Sequence, residues 1–352
     1  MRVSADLLSI VIPTRDRPEF LKACLRSVYE SQSQIDVIVS DNSTRHHPEI
    51  EQLRTRYGFS YVRQSGKLSA TDHLNACLEL ASSKWIWMLH DDDELYPGGV
   101  AKMAVRLSGA ENAGVVVAGL HYVDQNGVKQ LEWLPGSHGE SHGEAGLLAA
   151  GVDVGSISPA MVFRVDASLE WGGFVEIGGH PADYTFFAGL AHDYGVAFLP
   201  EVVGSYRQGS HQETDVSNPK ATKAWLDYTI GMTQRTIART ACSVEAANEL
   251  LDYTTWYTFL VLMPRWLGSD ALSVVEVCRD CLRASPARLS WQMRVREQYP
   301  MLFLQPTWLA AALSWFGSLA ARTQCKVQRV AYTLFTAKRC SSSKSHSGAT
   351  TW

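Results

Sequence analysis

Asp91-Asp92-Asp93-Glu94 follows directly on the apolar segment Trp85–Leu89 (WIWML). Three adjacent aspartates are costly if all ionise unpaired, because like charges at short range oppose one another. A hard divalent cation relieves the conflict: Mg2+ or Mn2+ takes carboxylate, phosphate and water oxygens, usually with one or two protein carboxylates. Taken alone, such a run is more simply a solvated acidic turn or a helix N-cap. Two other polar groups sit behind apolar segments in the same way. They are Thr14-Arg15-Asp16 after Leu7–Pro13 and Asp41-Asn42-Ser43 after Ile35–Val39.

The elements that would position these groups follow from periodicity. Leu7–Pro13 is a continuous apolar run rich in β-branched residues, as suits a strand buried on both faces. Pro18 opens a helix whose Leu21, Cys24, Leu25 and Val28 recur at helical spacing. Ile35–Val39 is a second strand, Pro48–Tyr57 a helix, and Phe59–Val62 a short strand. A further helix starts near Ser69, with Leu74, Cys77, Leu78 and Ala81 on one face, and Trp85–Leu89 is the fourth strand. This β-α alternation predicts an α/β fold with a mostly parallel sheet covered by helices on both faces. Ligands of such sheets bind at the carboxyl ends of the strands, where all three polar groups fall.

Downstream, Val115–Ala118 and His121–Leu131 are expected strands, with a hairpin turn at Asp124–Gly127. Leu134–Gly146, rich in Gly, Ser and His, is expected to be a loop and could form a lid. Ser156–Arg164 is an expected strand and Ala182–Leu190 a helix; Val196–Leu199 and Val202–Tyr206 are two closing strands. From near Pro219 the pattern becomes helical. The expected organisation is a catalytic domain over 1–219, a helical C-terminal region over 220–340 and a disordered tail over 341–352.

Charge supports that division. The 352 residues carry a formal charge of −4, which argues against a bulk nucleic-acid binder. Residues 1–220 hold 17 basic and 28 acidic side chains, the remainder 15 and 8. The last acid is Glu297. Beyond it, Gln298–Ala321 has no charged residue, and Arg322, Lys326 and Arg329 lie opposite Val327, Val330, Ala331, Leu334 and Phe335 on a basic amphipathic helix. Such a segment suits an anionic membrane surface; a helix packed on the catalytic domain is the competing reading. The N-terminus lacks signal-peptide character, and seven scattered Cys are consistent with reduced thiols. Together these features predict a cytoplasmic protein, peripheral on the inner face of the cell membrane.

The segments SIVIPTRDRPEFLKACLRSV, VIVSDNST, LNACLELASSKWIWMLHDDDELYPGGV and WGGF followed by ADYTFF resemble the family-two glycosyltransferases of GT-A fold, in order and spacing as well as wording. The resemblance covers about residues 7–210. It implies an inverting, metal-dependent hexosyltransferase of cell-surface polysaccharide synthesis. Its donor would be a nucleotide-sugar, of the UDP or dTDP type, and its acceptor a glycan or lipid-linked hydroxyl. It places the nucleotide at Thr14, Arg15 and Asp41, with Asn75 on the donor side. Asp91 and Asp92 would face ribose or donor sugar, Asp93 or Asp92 would bind Mn2+ or Mg2+, and His211 would reach diphosphate or metal. Asp183 would be the base that takes the acceptor proton. Two departures stand out. His90 replaces the first Asp of the metal block, and Ala182 replaces the Glu of a Glu-Asp pair. Both leave room for an alternative, a non-catalytic glycan-binding or assembly subunit. A nucleotidyltransferase ranks lower, since no glycine-rich phosphate loop is present.

Overall fold

A computed structural model describes residues 3–254 apart from 33, 136–138, 155–157, 178–179, 209–218 and 252–253. The chain packs as two units. The first comprises Met1–His211 with Arg235–Ser243, the second Gln212–Gln234 with Val244–Trp352. Within the second, Met232 and Leu250 are buried and the hydroxyls of Thr233 and Thr254 bond at 2.7 Å.

The first unit begins β1 (Leu8–Thr14), α1 (Pro18–Ser31), β2 (Asp36–Asp41), α2 (Pro48–Tyr57), β3 (Ser60–Arg63), α3 (Ala70–Leu80) and β4 (Trp85–Met88). It continues with β5 (Glu94–Leu95), α4 (Gly99–Ser108), β6 (Val115–Val123), β7 (Lys129–Trp133), β8 (Glu140–Ser141), α5 (Gly143–Leu148), β9 (Met161–Arg164) and α6 (Val165–Trp171). A two-stranded β10 (Glu176–Ile177) and β11 (His180–Pro181), then α7 (Asp183–Tyr194) and β12 (Val196–Arg207), precede α8 (Pro219–Thr240).

Apart from the β10–β11 pair, the described strands form one sheet in the order β3-β2-β1-β4-β9-β6-β12-β5, with β7 on β6 and β8 on β12. From β3 to β4 the pairing is parallel, and it is parallel again between β6 and β12. The fold is the expected α/β type. One feature the hydrophobic pattern does not carry is the direction of β9, which runs antiparallel between β4 and β6. Every residue of β1 and β4 is buried, which is why both are rich in large apolar side chains, with Ser9 and Thr14 the polar members of β1. Ser69 caps α3, its Oγ accepting from Asp72 N at 3.0 Å.

Two local expectations are corrected. The stretch expected to be a loop over 134–146 contains β8 and the start of α5. Glycine is required there for packing: a Cβ on Gly146 would lie 2.3 Å from the carbonyl oxygen of Ala191 on α7. The two strands expected at 196–199 and 202–206 are one strand, β12, whose register slips between Leu199 and Gly204. Pro200 has no N–H to give a ladder, and a bulge is where a sheet tolerates that. No described helix is long and apolar enough to cross a membrane. The uncharged and basic segments after Glu297 lie outside the described residues.

Candidate functional site

The acidic run sits where β4 leaves the centre of the sheet. Leu89 N still donates to Val11 O at 3.1 Å, and Asp93 N then donates to His90 O at 3.2 Å. That bond closes a tight turn with Asp91 and Asp92 at its centre. The turn sends its side chains different ways. Asp91 points inward and is fully buried; it accepts from Thr14 Oγ1 at 2.7 Å, and its other oxygen lies 2.7 Å from Arg17 Nη2. Arg17 also reaches Asp92 at 3.3 Å. Asp93 is buried too, and one of its oxygens accepts from Arg207 N at 2.9 Å. The other, Oδ2, is buried and accepts no hydrogen bond among the described residues.

His90, Asp92 and Asp93 each offer one ligand atom, and these atoms lie within 4.8 Å of one another. Arg207, at the end of β12, holds the turn from the far side of the sheet. Its Nε donates to Asp92 O at 3.0 Å and its Nη2 pairs with Glu94 at 2.5 Å. Beneath, the Cys24 thiol of α1 meets His90 O at 3.6 Å.

The electrostatics follow from burial. Loss of water pushes the Asp91 carboxyl up to about 7, although Arg17 and the Thr14 hydroxyl pull it down. Burial raises Asp93 well above the ordinary carboxylate range, with the Asp92 charge adding to it. A buried, unpaired carboxylate oxygen beside a second carboxylate and an imidazole is a donor set that fits a divalent cation.

The other predicted residues occupy distinct settings. Asp41, at the end of β2, is buried and already engaged. It accepts from Ser43 N at 2.8 Å and Tyr61 Oη at 2.7 Å, and pairs with Arg63 at 3.0 Å. Burial and this acceptor push the Tyr61 phenol far above its usual range. Asp16 staples the first two strand-end loops. It accepts from Thr44 N at 3.1 Å and Thr44 Oγ1 at 2.9 Å, with His47 at 3.1 Å, from a left-handed backbone at φ 56°. Arg15 is exposed.

Asn75 on α3 spends its amide on the backbone of one residue, accepting from Phe174 N at 2.8 Å and donating to Phe174 O at 3.0 Å. It therefore anchors the Trp-Gly-Gly-Phe loop, where Gly173 has φ +71° and a Cβ would lie 2.4 Å from Asn75 Oδ1. Asp183 begins α7, half-buried, with its carboxylate accepting from Tyr184 N at 2.8 Å. Upstream, the Trp171 indole donates to Asp193 at 3.1 Å, and Arg239 stacks on the ring.

The structure thus bonds Thr14, Asp91, Asp92 and Asp93 into one cluster. Asp41 and Asn75 sit in separate networks, and His211 lies outside the described residues. Arg17 is a member that sequence reasoning passed over. Its only signal is a place in the same strand-end turn as Thr14 and Arg15.

Comparison with known proteins bears on the same region. Residues 9–166 match the model of glycosyl transferase family 2. A curated relative is the abequosyltransferase RfbV of Salmonella typhimurium, 30% identical over 102 residues, which is 27% of this chain and 31% of that protein. The matched segment spans about a third of the length of the curated relatives. Among solved structures, S. aureus TarS 1-349 in complex with UDP-GlcNAc aligns with a TM-score of 0.59 at 14% identity, covering 90% of this chain and 92% of that one. The mannosyltransferase PcManGT from Pyrobaculum calidifontis, in complex with GDP-Man and Mn2+, aligns with a TM-score of 0.50 at 12% identity, covering 89% and 86%. At such identities the structural likeness is one of fold.

Proposed function

We propose that this chain, whose residues 9–166 match the model of glycosyl transferase family 2, is an inverting, metal-dependent glycosyltransferase. It moves a sugar from a nucleotide-sugar donor to a glycan or lipid-linked acceptor hydroxyl in surface polysaccharide synthesis. The observation that carries the reading is the buried, unpaired Oδ2 of Asp93 beside Asp92 and His90, at the carboxyl end of a central strand.

Asp93, Asp92 and His90 would hold the cation. When bound, it supplies positive charge to the leaving diphosphate. Arg17 pairs with Asp91 at 2.7 Å and keeps that carboxylate turned inward. In a single displacement the acceptor oxygen attacks the anomeric carbon as the bond from that carbon to the diphosphate oxygen breaks. The diphosphate leaves with the electron pair, and the acceptor's proton passes to the Asp183 carboxylate. Thr14 orients Asp91, and Arg207 fixes the height of the turn. UDP is the first donor base to test, followed by dTDP and GDP.

A donor screen settles the substrate class: mass spectrometry of hydrolysis and transfer products, with Mn2+ and a panel of nucleotide-sugars. Asp93→Ala and Asp183→Ala are expected to abolish transfer while leaving circular dichroism unchanged. Full activity in both would sink the assignment. His90 and Ala182 also motivate the non-catalytic reading, which a thermal-shift scan discriminates. Stabilisation by Mn2+ with UDP, about 2.7 kcal/mol at a hundredfold excess over Kd, is expected of the enzyme. No response to any metal or nucleoside diphosphate would favour the binding subunit.

The acid-free segment after Glu297 completes the proposal: its basic residues would hold the enzyme peripherally on an anionic membrane, close to a lipid-linked acceptor.

A further inference from the structure

We propose that His90 is a direct ligand of the cation and sets which ion the domain takes, favouring one that accepts imidazole nitrogen (Mn2+, Co2+ or Zn2+) over Mg2+. The inference rests on the metal-dependent reading above and goes further, to the selectivity of the site.

Three observations lead there. The turn closed by Asp93 N on His90 O brings the first and fourth positions of the turn side by side, so His90 and Asp93 flank one space. The ligand atoms of His90, Asp92 and Asp93 gather within 4.8 Å. Asp93 Oδ2 is buried and has no hydrogen-bond partner among the described residues, which leaves a carboxylate oxygen in that space for a cation to take.

Asp91 does not supply a third carboxylate. One of its oxygens takes the Thr14 hydroxyl and the other faces Arg17. The donor set is therefore two carboxylates and one imidazole. Mg2+ prefers oxygen ligands and gives up its water reluctantly, whereas imidazole suits the later first-row ions. A neutral ring in place of a carboxylate also removes one negative charge from the turn, which lessens the advantage of a small hard ion.

The test uses the full chain with Mn2+, alone and with UDP. Electron spin-echo envelope modulation reads nitrogen bound to the metal, in protein carrying 14N- or 15N-histidine. A 14N coupling that becomes 15N on labelling is expected in the wild type. It should vanish in His90→Asp while Mn2+ remains bound. In competition titrations His90→Asp should shift the preference toward Mg2+ by about tenfold. Bound Mn2+ without histidine coupling, or an unchanged Mg2+ to Mn2+ ratio in His90→Asp, overturns the role of His90 and leaves the metal-dependent reading standing. No saturable Mn2+ binding with or without UDP overturns both.

Discussion

Asp91 and Asp93 face opposite fates inside one turn: Asp91 is held by Thr14 and Arg17, while Asp93 keeps an oxygen open. The difference has a pH signature. Burial raises Asp91 to about 7 in the folded chain, against about 3.9 for a free aspartate. Between those values the folded state keeps a proton that the unfolded state releases, so this group's contribution to stability is complete below pH 4 and is lost as pH rises toward 7. Metal-free thermal melts should show Asp91→Asn gaining on the wild type from pH 4.5 to pH 7.5. A constant difference between the two would refute the assignment. Asp183 is predicted to act in chemistry rather than folding. Asp183→Asn should lower turnover by about a hundredfold or more with little change in melting temperature. The acidic run was legible in the sequence because it is local, and so was the oddity of His90. The inward rotation of Asp91 was not, because it depends on Thr14, 77 residues away in sequence.

Among the elements, the β-α alternation through β4 was legible because β1 and β4 are buried along their whole length and, apart from Ser9 and Thr14, are built from apolar residues. The rest was written in tertiary contacts. The antiparallel direction of β9 leaves no trace in hydrophobicity, and α5 passes for a loop until Gly146 is seen against Ala191. The link from α3 to the Trp-Gly-Gly-Phe loop is of this kind as well, since the Asn75 amide closes it at a separation of 99 residues. Asn75→Ala would leave both Phe174 backbone groups without their partner, at a cost of about 1–3 kcal/mol. Gly173→Ala would force a Cβ onto Asn75 Oδ1 from a left-handed backbone. Both variants should melt earlier. The loop leads to Asp183, so both should also lose kcat more than they raise KM. A change in melting temperature alone would limit the loop to a structural part.

For the whole chain, the asymmetry of charge makes a prediction separate from the catalytic one. Arg322, Lys326 and Arg329 recur at spacings of four and three in an acid-free stretch of the sequence. Sedimentation with phosphatidylglycerol vesicles should capture the full chain at low salt and release it as salt rises, because headgroup attraction is screened within about a Debye length. Charge reversal at all three positions should abolish capture while leaving soluble-acceptor transfer intact. Equal binding to neutral vesicles would contradict the electrostatic account.

The contact of Cys24 with the carbonyl of His90 has a kinetic consequence. Burial, followed by the charges of Asp91, Asp93 and Asp92, holds this thiol far above its usual ionisation range. Only a thiolate reacts with an alkylating reagent. Cys24 is thus silent while α1 stays seated under the turn and becomes reactive only when the two part. Its labelling half-life is a clock for the opening of the site, and ligands that close the turn should slow it.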